Sequence, residues 1–498
     1  MLEKRSISGK VNKMPVEENI PVPIVDIARQ LGLLDTEVEL YGKHMAKVDY
    51  SRALSRLADR PQGKFIVVTG MTPTPLGEGK TVTSIAIGQA MTRLGMRVCN
   101  TLREPSKGPS FGFKGGGCGG GRCQMIPMEN INLHFTGDIY AVEAAQNLCS
   151  SVIDSSILFG NPLDIDSRQI TWPRCIDMSD RVLREVVVGL GSKVNGYPRQ
   201  DGYVITPATE TAAIHSLATS LADLRDRLER TVIGFSRSNK PVTCGDLKVA
   251  GAMTALLIDA LKPNLVQSTE HHPVFCHGFP FANIAHGNSS VLADLVGLKL
   301  CDYVISESGF GTDCGFEKLM NVKMKQSGSN VGGAVIAVSV RALKHHGGAF
   351  HLRPGMSMAD MKDVIEKEDL GAVERGGANL AAHVRNVRAF NVPVVVAINR
   401  FPGDTDRELD LARQMALEMG SDDAVVHDAW RRGGDGAIEL AKAVIKVTDG
   451  ASKNSSLYAE GASIKEKIEM VATRIYGADG VDYSPLADGR IQLYSDLG

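Results

Sequence analysis

Aromatic residues are scarce, at 5% of the chain with only 2 tryptophans, and neither sign of charge dominates. Lys+Arg 55 against Asp+Glu 57 in 498 residues leaves a net charge of −2. Without a global basic field, nucleic acid and anionic membrane surfaces are not expected partners. No run of about 18 or more apolar residues occurs, so a membrane-spanning helix is not expected. Lys4, Arg5, Lys10 and Lys13 lead into no apolar stretch, which argues against a secretory leader, and Glu3, Glu17 and Glu18 argue against a mitochondrial one. The 9 cysteines form no paired framework; an odd number in a large chain fits reduced thiols and a cytoplasmic setting. Cys118 and Cys123 lie close together, but no second pair or histidine cluster completes a zinc site.

Apolar residues at 43% and charged residues at 22% are ordinary for a globular protein. Short runs rich in β-branched residues alternate with helical patterns, which predicts an α/β fold with a parallel sheet. The clearest strands are Phe65–Thr69, Val98–Leu102, Tyr303–Ser306, Ala334–Val340 and Val392–Ile398. Among helices, Thr81–Leu94 aligns Val82, Ile85, Ala86, Ala90 and Leu94, with Gly95 as a stop. Ile214, Leu217, Leu221, Leu224 and Leu228 make a second stripe, and Leu380, Val384 and Val387 a third. Three of the strands run into polar or glycine-rich segments: Glu307–Asp313, Arg341 onward, and Asn399–Thr405. Ligands of open α/β sheets bind beyond such carboxyl ends.

The strand at 65–69 leads through Thr74-Pro75-Leu76-Gly77-Glu78-Gly79-Lys80-Thr81 into a helix. That is the setting of a phosphate-binding loop: backbone N–H groups and a helix N-terminus face anionic oxygens, Lys80 reaches the β/γ-phosphates, and Thr81 meets nucleotide-bound Mg²⁺. Thr74 stands where the usual pattern opens with glycine. The whole is expected to be a P-loop NTPase-type, doubly wound, mostly parallel sheet with an inserted α/β segment and smaller C-terminal domains. Its expected divisions are 1–150 and 291–450 for the two halves of the core, 151–290 for the insertion, and 451–498 for the C-terminal segment.

Glycine is high, at 52 residues, and much of the excess falls in Gly112–Arg122, where bare backbone can approach a ligand closely. Lys114 and Arg122 flank that run. Arg103 ends a strand and offers a fork for a carboxylate or phosphate. Glu104 follows it, and His134 and Asp138 lie in the polar stretch Asn132–Asp138, able to act as acids, bases or positioning groups. His271, His272, His277 and His286 cluster in sequence without diagnostic metal spacing.

Nine segments together resemble the formate–tetrahydrofolate ligase family. They are TPTPLGEGKT (72–81), REPSKGP (103–109), FGFKGGGCGGG (111–121), INLHFTGD (131–138), PFANIAHGNSS (280–290), ESGFGTDCGFEK (307–318), VRALKHHGG (340–348), VPVVVAINRFPGDT (392–405) and IKEKIEMVATRIYGADGV (464–481). The resemblance covers nearly the whole chain from about residue 20 and makes Thr74 an ordinary residue of the loop. It implies ATP-dependent ligation of formate to tetrahydrofolate through formyl phosphate, giving 10-formyltetrahydrofolate, ADP and phosphate. It further implies that Lys80 and Arg103 are catalytic, that Phe401 and Trp430 stack the pterin, and that Mg²⁺ and a monovalent cation take part. A homo-oligomer, tetrameric in the family, is the implied assembly. The sequence departs from the family pattern at Gly117-Cys118, Arg122, Phe279, Met324–Gly328 and Ser339, and it stops at Gly498, where family members continue. A non-catalytic or fragmentary relative that retains nucleotide binding is the alternative expectation.

Overall fold

A computed structural model describes residues 20–108, 117–351, 361–450 and 453–497. The charged residues before position 20, Gly112, Lys114 and the first part of the glycine run lie outside these. The described residues form a large mixed sheet flanked by helices. In chain order its strands are β1 Val38–Tyr41, β2 Met45–Val48, β3 Lys64–Gly70, β4 Val98–Leu102, β5 Gly119–Gly120, β6 Cys123–Ile126, β7 Asn264–Ser268, β8 Pro273–Cys276, β9 Tyr303–Glu307, β10 Val331–Ser339, β11 Val394–Asn399 and β12 Asp423–His427. The spatial order is β1-β2-β7-β8-β4-β9-β3-β10-β11-β12, with β6 also pairing β7 and β5 pairing β6. From β8 to β12 every neighbouring pair is parallel; the antiparallel pairs gather at the β1 edge.

The parallel strands are buried on both faces, as their unbroken apolar runs require. Phe65, Val67, Val304, Ile336, Val338, Val394, Val396 and Ile398 pack into one hydrophobic cluster. Their alternates Ile66, Val68, Ile305, Val335, Ala337, Val395 and Ala397 pack into another on the opposite face. The helices include α1 Lys80–Arg93, α2 Asp138–Leu158, α3 Glu210–Leu217, α4 Leu221–Arg230, α5 Val340–His346, α6 Leu370–Arg388, α7 Asp406–Glu418 and α8 Ile438–Val447. Leu380, Val384 and Val387 of α6 join the first cluster; Ile85 and Ile87 of α1 and Leu440 of α8 join the second. Between Ile126 and Asn264 the chain leaves the sheet and builds its own cluster from Val142, Cys149, Ile153, Leu224, Leu228, Met253 and Leu257. No helix among the described residues is long and apolar enough to cross a membrane.

Three sequence boundaries shift. The stripe from Ile214 to Leu228 is split into α3 and α4, because Ser220 caps a new helix by accepting the Asp223 N–H. Val340 opens α5 rather than closing β10, since the Ser339 hydroxyl accepts the Ala342 N–H. β11 begins after Pro393, which has no N–H for the ladder.

Parallel register carries the strand ends to one level. Ala337 of β10 pairs with Gly70 of β3, and Ser339 with Asn399 of β11, which in turn pairs with His427 of β12. Helix α1 is seated against this sheet at Gly88, where a Cβ would lie 2.3 Å from Asn100 Oδ1 and 2.4 Å from His272 Nε2. Gly88→Val is expected to destabilise the fold by about 1–3 kcal/mol through overpacking. The readout is a lower urea midpoint at unchanged slope; a wild-type midpoint would mean that α1 has room to move away.

Candidate functional site

The segment expected to be a phosphate loop follows the end of β3. Thr74 donates its N–H to Glu78 Oε1 at 2.6 Å, and the Leu76 N–H reaches Thr74 Oγ1 at 3.3 Å. Gly79 caps α1 at φ +79°, and a Cβ there would lie 2.7 Å from Asn399 Nδ2, so only glycine fits both the turn and the neighbour. That Asn399 amide donates to the Glu78 carbonyl at 2.7 Å and to Thr83 Oγ1 at 3.1 Å. The Lys80 stem lies over Gly70, and its Nζ is 3.4 Å from Glu78 Oε2. Thr81 stands in the first turn of α1, while Leu76, next to Pro75 and Gly77, packs on Phe350, Met361 and Ile365. The loop thus holds the chain's own Glu78 carboxylate against Lys80.

A cavity of about 610 Å³ opens beside the loop, lined by Arg341, Arg400, Phe401, Pro402, Gly403, Asp404, Asp428, Trp430 and Arg431. Phe401 follows β11 and Trp430 follows β12, so the parallel register sets them in one pocket. Asp404 Oδ2 accepts the Phe401 N–H at 2.7 Å. Burial pushes the Asp404 carboxyl up to about 6, against that hydrogen bond and the nearby cations Lys344 and Arg341. Trp430 is seated on the end of the glycine run. Its carbonyl accepts the Arg122 N–H at 2.9 Å, and a Cβ on Gly121 would come within 2.1 Å of that oxygen.

Arg103, directly after β4, is 9% exposed, and its Nη1 donates to the Pro280 carbonyl at 3.2 Å. Its Nη2 lies 3.1 Å from where a Cβ of Gly309 would be, so bare backbone after β9 makes its seat. Burial lowers its pKa, opposed by the Glu307 charge. Glu104 is buried beside it, and its Oε2 has no partner among the described residues. Burial first, then the Asp138 charge, holds its carboxyl well above the usual range. Asp138 opens α2 in a buried ion pair with Lys47 at 2.6 Å and accepts from Asn264 Nδ2 at 2.7 Å. His134 is exposed and stacks on Tyr140, whose hydroxyl also receives Lys107 Nζ at 2.7 Å.

The histidines of 271–286 do not converge. His271 meets Gln267, His272 meets Asn100 and Thr92, and His277 meets Ser290 and the Ala260 carbonyl. Both ring nitrogens of His286 are without partners among the described residues. Cys118 donates to Asn132 and Cys123 to Gln89. Arg341 and Asn399, which join the loop to the pocket, were visible in sequence only as polar residues at strand ends.

Residues 14–498 match the family model described as formate–tetrahydrofolate ligase. The formate–tetrahydrofolate ligase of Desulforamulus reducens is 51% identical over 477 residues, 96% of this chain and 83% of that relative. The chain belongs to the formate–tetrahydrofolate ligase family. Membership makes it a ligase, and the departures from the family pattern sit in coherent surroundings. Ser339 keeps the hydroxyl that caps α5. Phe279 is fully buried and stacks on His215 at 5.7 Å between ring centres. Gln326 accepts from Arg227 at 2.6 Å.

Two expectations follow from this geometry. Asp138→Asn leaves the Lys47 charge buried with its ionic partner gone and should cost about 3–5 kcal/mol in equilibrium unfolding. Lost turnover at unchanged stability would instead make Asp138 a reacting group. Because the folded-state pKa of Asp404 is raised from 3.8 to about 6, the native state binds more protons in that window, and stability falls as pH rises through it. Unfolding free energies of wild type and Asp404→Asn should therefore diverge in favour of the variant from about pH 4 to 6, a window set by this shift. Parallel curves would contradict the buried carboxyl.

Proposed function

We propose that this chain ligates formate to tetrahydrofolate at the expense of ATP, through formyl phosphate, releasing ADP, phosphate and 10-formyltetrahydrofolate. The observation that carries the reading is the common level of three features at the carboxyl ends of parallel strands: the phosphate loop, the Arg103 seat and the Phe401/Trp430 pocket. The sheet is read accordingly as a P-loop NTPase-type, doubly wound core. The family match supports the substrates.

In this reading the β- and γ-phosphates lie on the N–H groups of residues 76–81, and Lys80 turns from Glu78 to the transferring phosphoryl group. Arg103 holds the formate carboxylate in line, and a carboxylate oxygen attacks the γ-phosphorus as ADP leaves. The resulting mixed anhydride carries a good leaving group on the formyl carbon. N10 of a pterin stacked between Phe401 and Trp430 attacks that carbon. The phosphate departs with the former carboxylate oxygen, and the N10 proton ends on phosphate. Positioning and charge neutralisation supply the acceleration. Glu104, buried directly after Arg103, positions the substrate together with Asp138 and His134. Among the described residues no group of three His, Cys, Asp or Glu side chains could hold a metal ion. Mg²⁺ would therefore be held by the Thr81 hydroxyl with nucleotide oxygens and water. The monovalent cation and the tetramer that the resemblance implies belong to the same reading.

In a formyl-transfer assay, Lys80→Ala and Arg103→Ala should each lower kcat by about 10²–10³-fold, the scale of a lost transition-state donor. Trp430→Ala should chiefly raise KM for tetrahydrofolate. Wild-type rates in both charge variants would refute the proposed roles.

A further inference from the structure

Arg341 belongs to both halves of the site at once. It follows the Ser339 cap at the start of α5, and its Nη2 donates to the Leu76 carbonyl in the phosphate loop at 3.1 Å. Its guanidinium carbon lies over the Phe401 ring, 3.4 Å from the ring centre. Asp404 beside the ring and Glu78 in the loop are the carboxylates whose charge it feels. Its Nε is buried and has no partner among the described residues, so the group is held by these contacts rather than by an ion pair. Arg341, Phe401 and Trp430 line one cavity together.

We propose that Arg341 is a positioning residue that couples the nucleotide loop to the pterin pocket, so that filling one site organises the other. The inference rests on the proposed function above and names what links its two substrates. A nucleotide that settles on the loop fixes the Leu76 carbonyl. That carbonyl anchors the guanidinium, and the guanidinium sets the plane of Phe401. Ordering already done by the first ligand is not paid again by the second, and thermodynamic linkage makes the effect reciprocal. A lysine in this place keeps the charge but loses the planar fork that stacks and donates together.

The test is tetrahydrofolate affinity by calorimetry, with and without a non-hydrolysable ATP analogue and Mg²⁺, in wild type, Arg341→Lys and Arg341→Met. In wild type the analogue should tighten tetrahydrofolate binding by about fivefold or more, within the usual range of coupling between sites. In both variants the ratio should fall to about one, whatever either change does to each affinity alone. A role confined to packing would lower thermal stability and leave the ratio intact. Arg341→Lys, which keeps the stem and charge, provides the comparison if Arg341→Met fails to fold. A wild-type ratio of one, or undiminished coupling in a folded variant, overturns the inference while leaving the proposed function standing. Failure of wild type to bind either ligand sinks both.

Discussion

The amide of Asn399 is the contact on which the rest of the site depends. It sits at the last position of β11, holds the loop of residues 74–81 through the Glu78 carbonyl, and reaches Thr83 in the first turns of α1. Two residues further on, the same strand end presents Phe401. The Asn399 side chain is also why Gly79 admits no Cβ. A parallel sheet makes such a junction possible, because hydrogen-bonded neighbours bring every strand's carboxyl end to the same edge. Here Gly70, Ala337, Ser339, Asn399 and His427 are tied at that edge by register alone.

Bare backbone and buried charge do the remaining shaping. The glycine run ends by passing so close to the Trp430 carbonyl that side chains are excluded, which seats a half-exposed indole on a rigid hairpin. Gly309 does the same for the Arg103 guanidinium. Elsewhere in the fold, charged groups are taken out of water in pairs. Lys47 with Asp138, Lys323 with Asp294 at 2.5 Å, and Lys344 with Glu408 at 2.7 Å are all almost fully buried. Such pairs are weak sources of net stability but costly to break.

Much of this was legible in the sequence where a single local pattern decides the outcome. The β-branched runs of β3, β9, β10 and β11 read as buried strands because nothing polar interrupts them, and the strand–loop–helix order of 65–94 is the one the sequence predicts. Strands β7 and β8 were not legible. Asn264, Gln267 and Ser268 make β7 look like a loop, yet they are fully buried, and Asn264 answers the distant Asp138. Likewise the histidines clustered at 271–286 carried no diagnostic metal spacing, and β-sheet geometry sends His271, His272 and His277 to different partners. The residues joining the two halves of the site, Arg341 and Asn399, act across more than 250 residues of chain, respectively on Leu76 and on Glu78. No local pattern encodes that reach.

The central claim is that the formyl carbon is activated by phosphorylation on formate oxygen, in a site that joins the loop to the pterin pocket. The most direct measurement is turnover with ¹⁸O-labelled formate, ATP and tetrahydrofolate, followed by mass analysis of the inorganic phosphate released. The account predicts one ¹⁸O in each phosphate formed, because the oxygen that attacked phosphorus leaves with it. Unlabelled phosphate accompanying 10-formyltetrahydrofolate would contradict the claim.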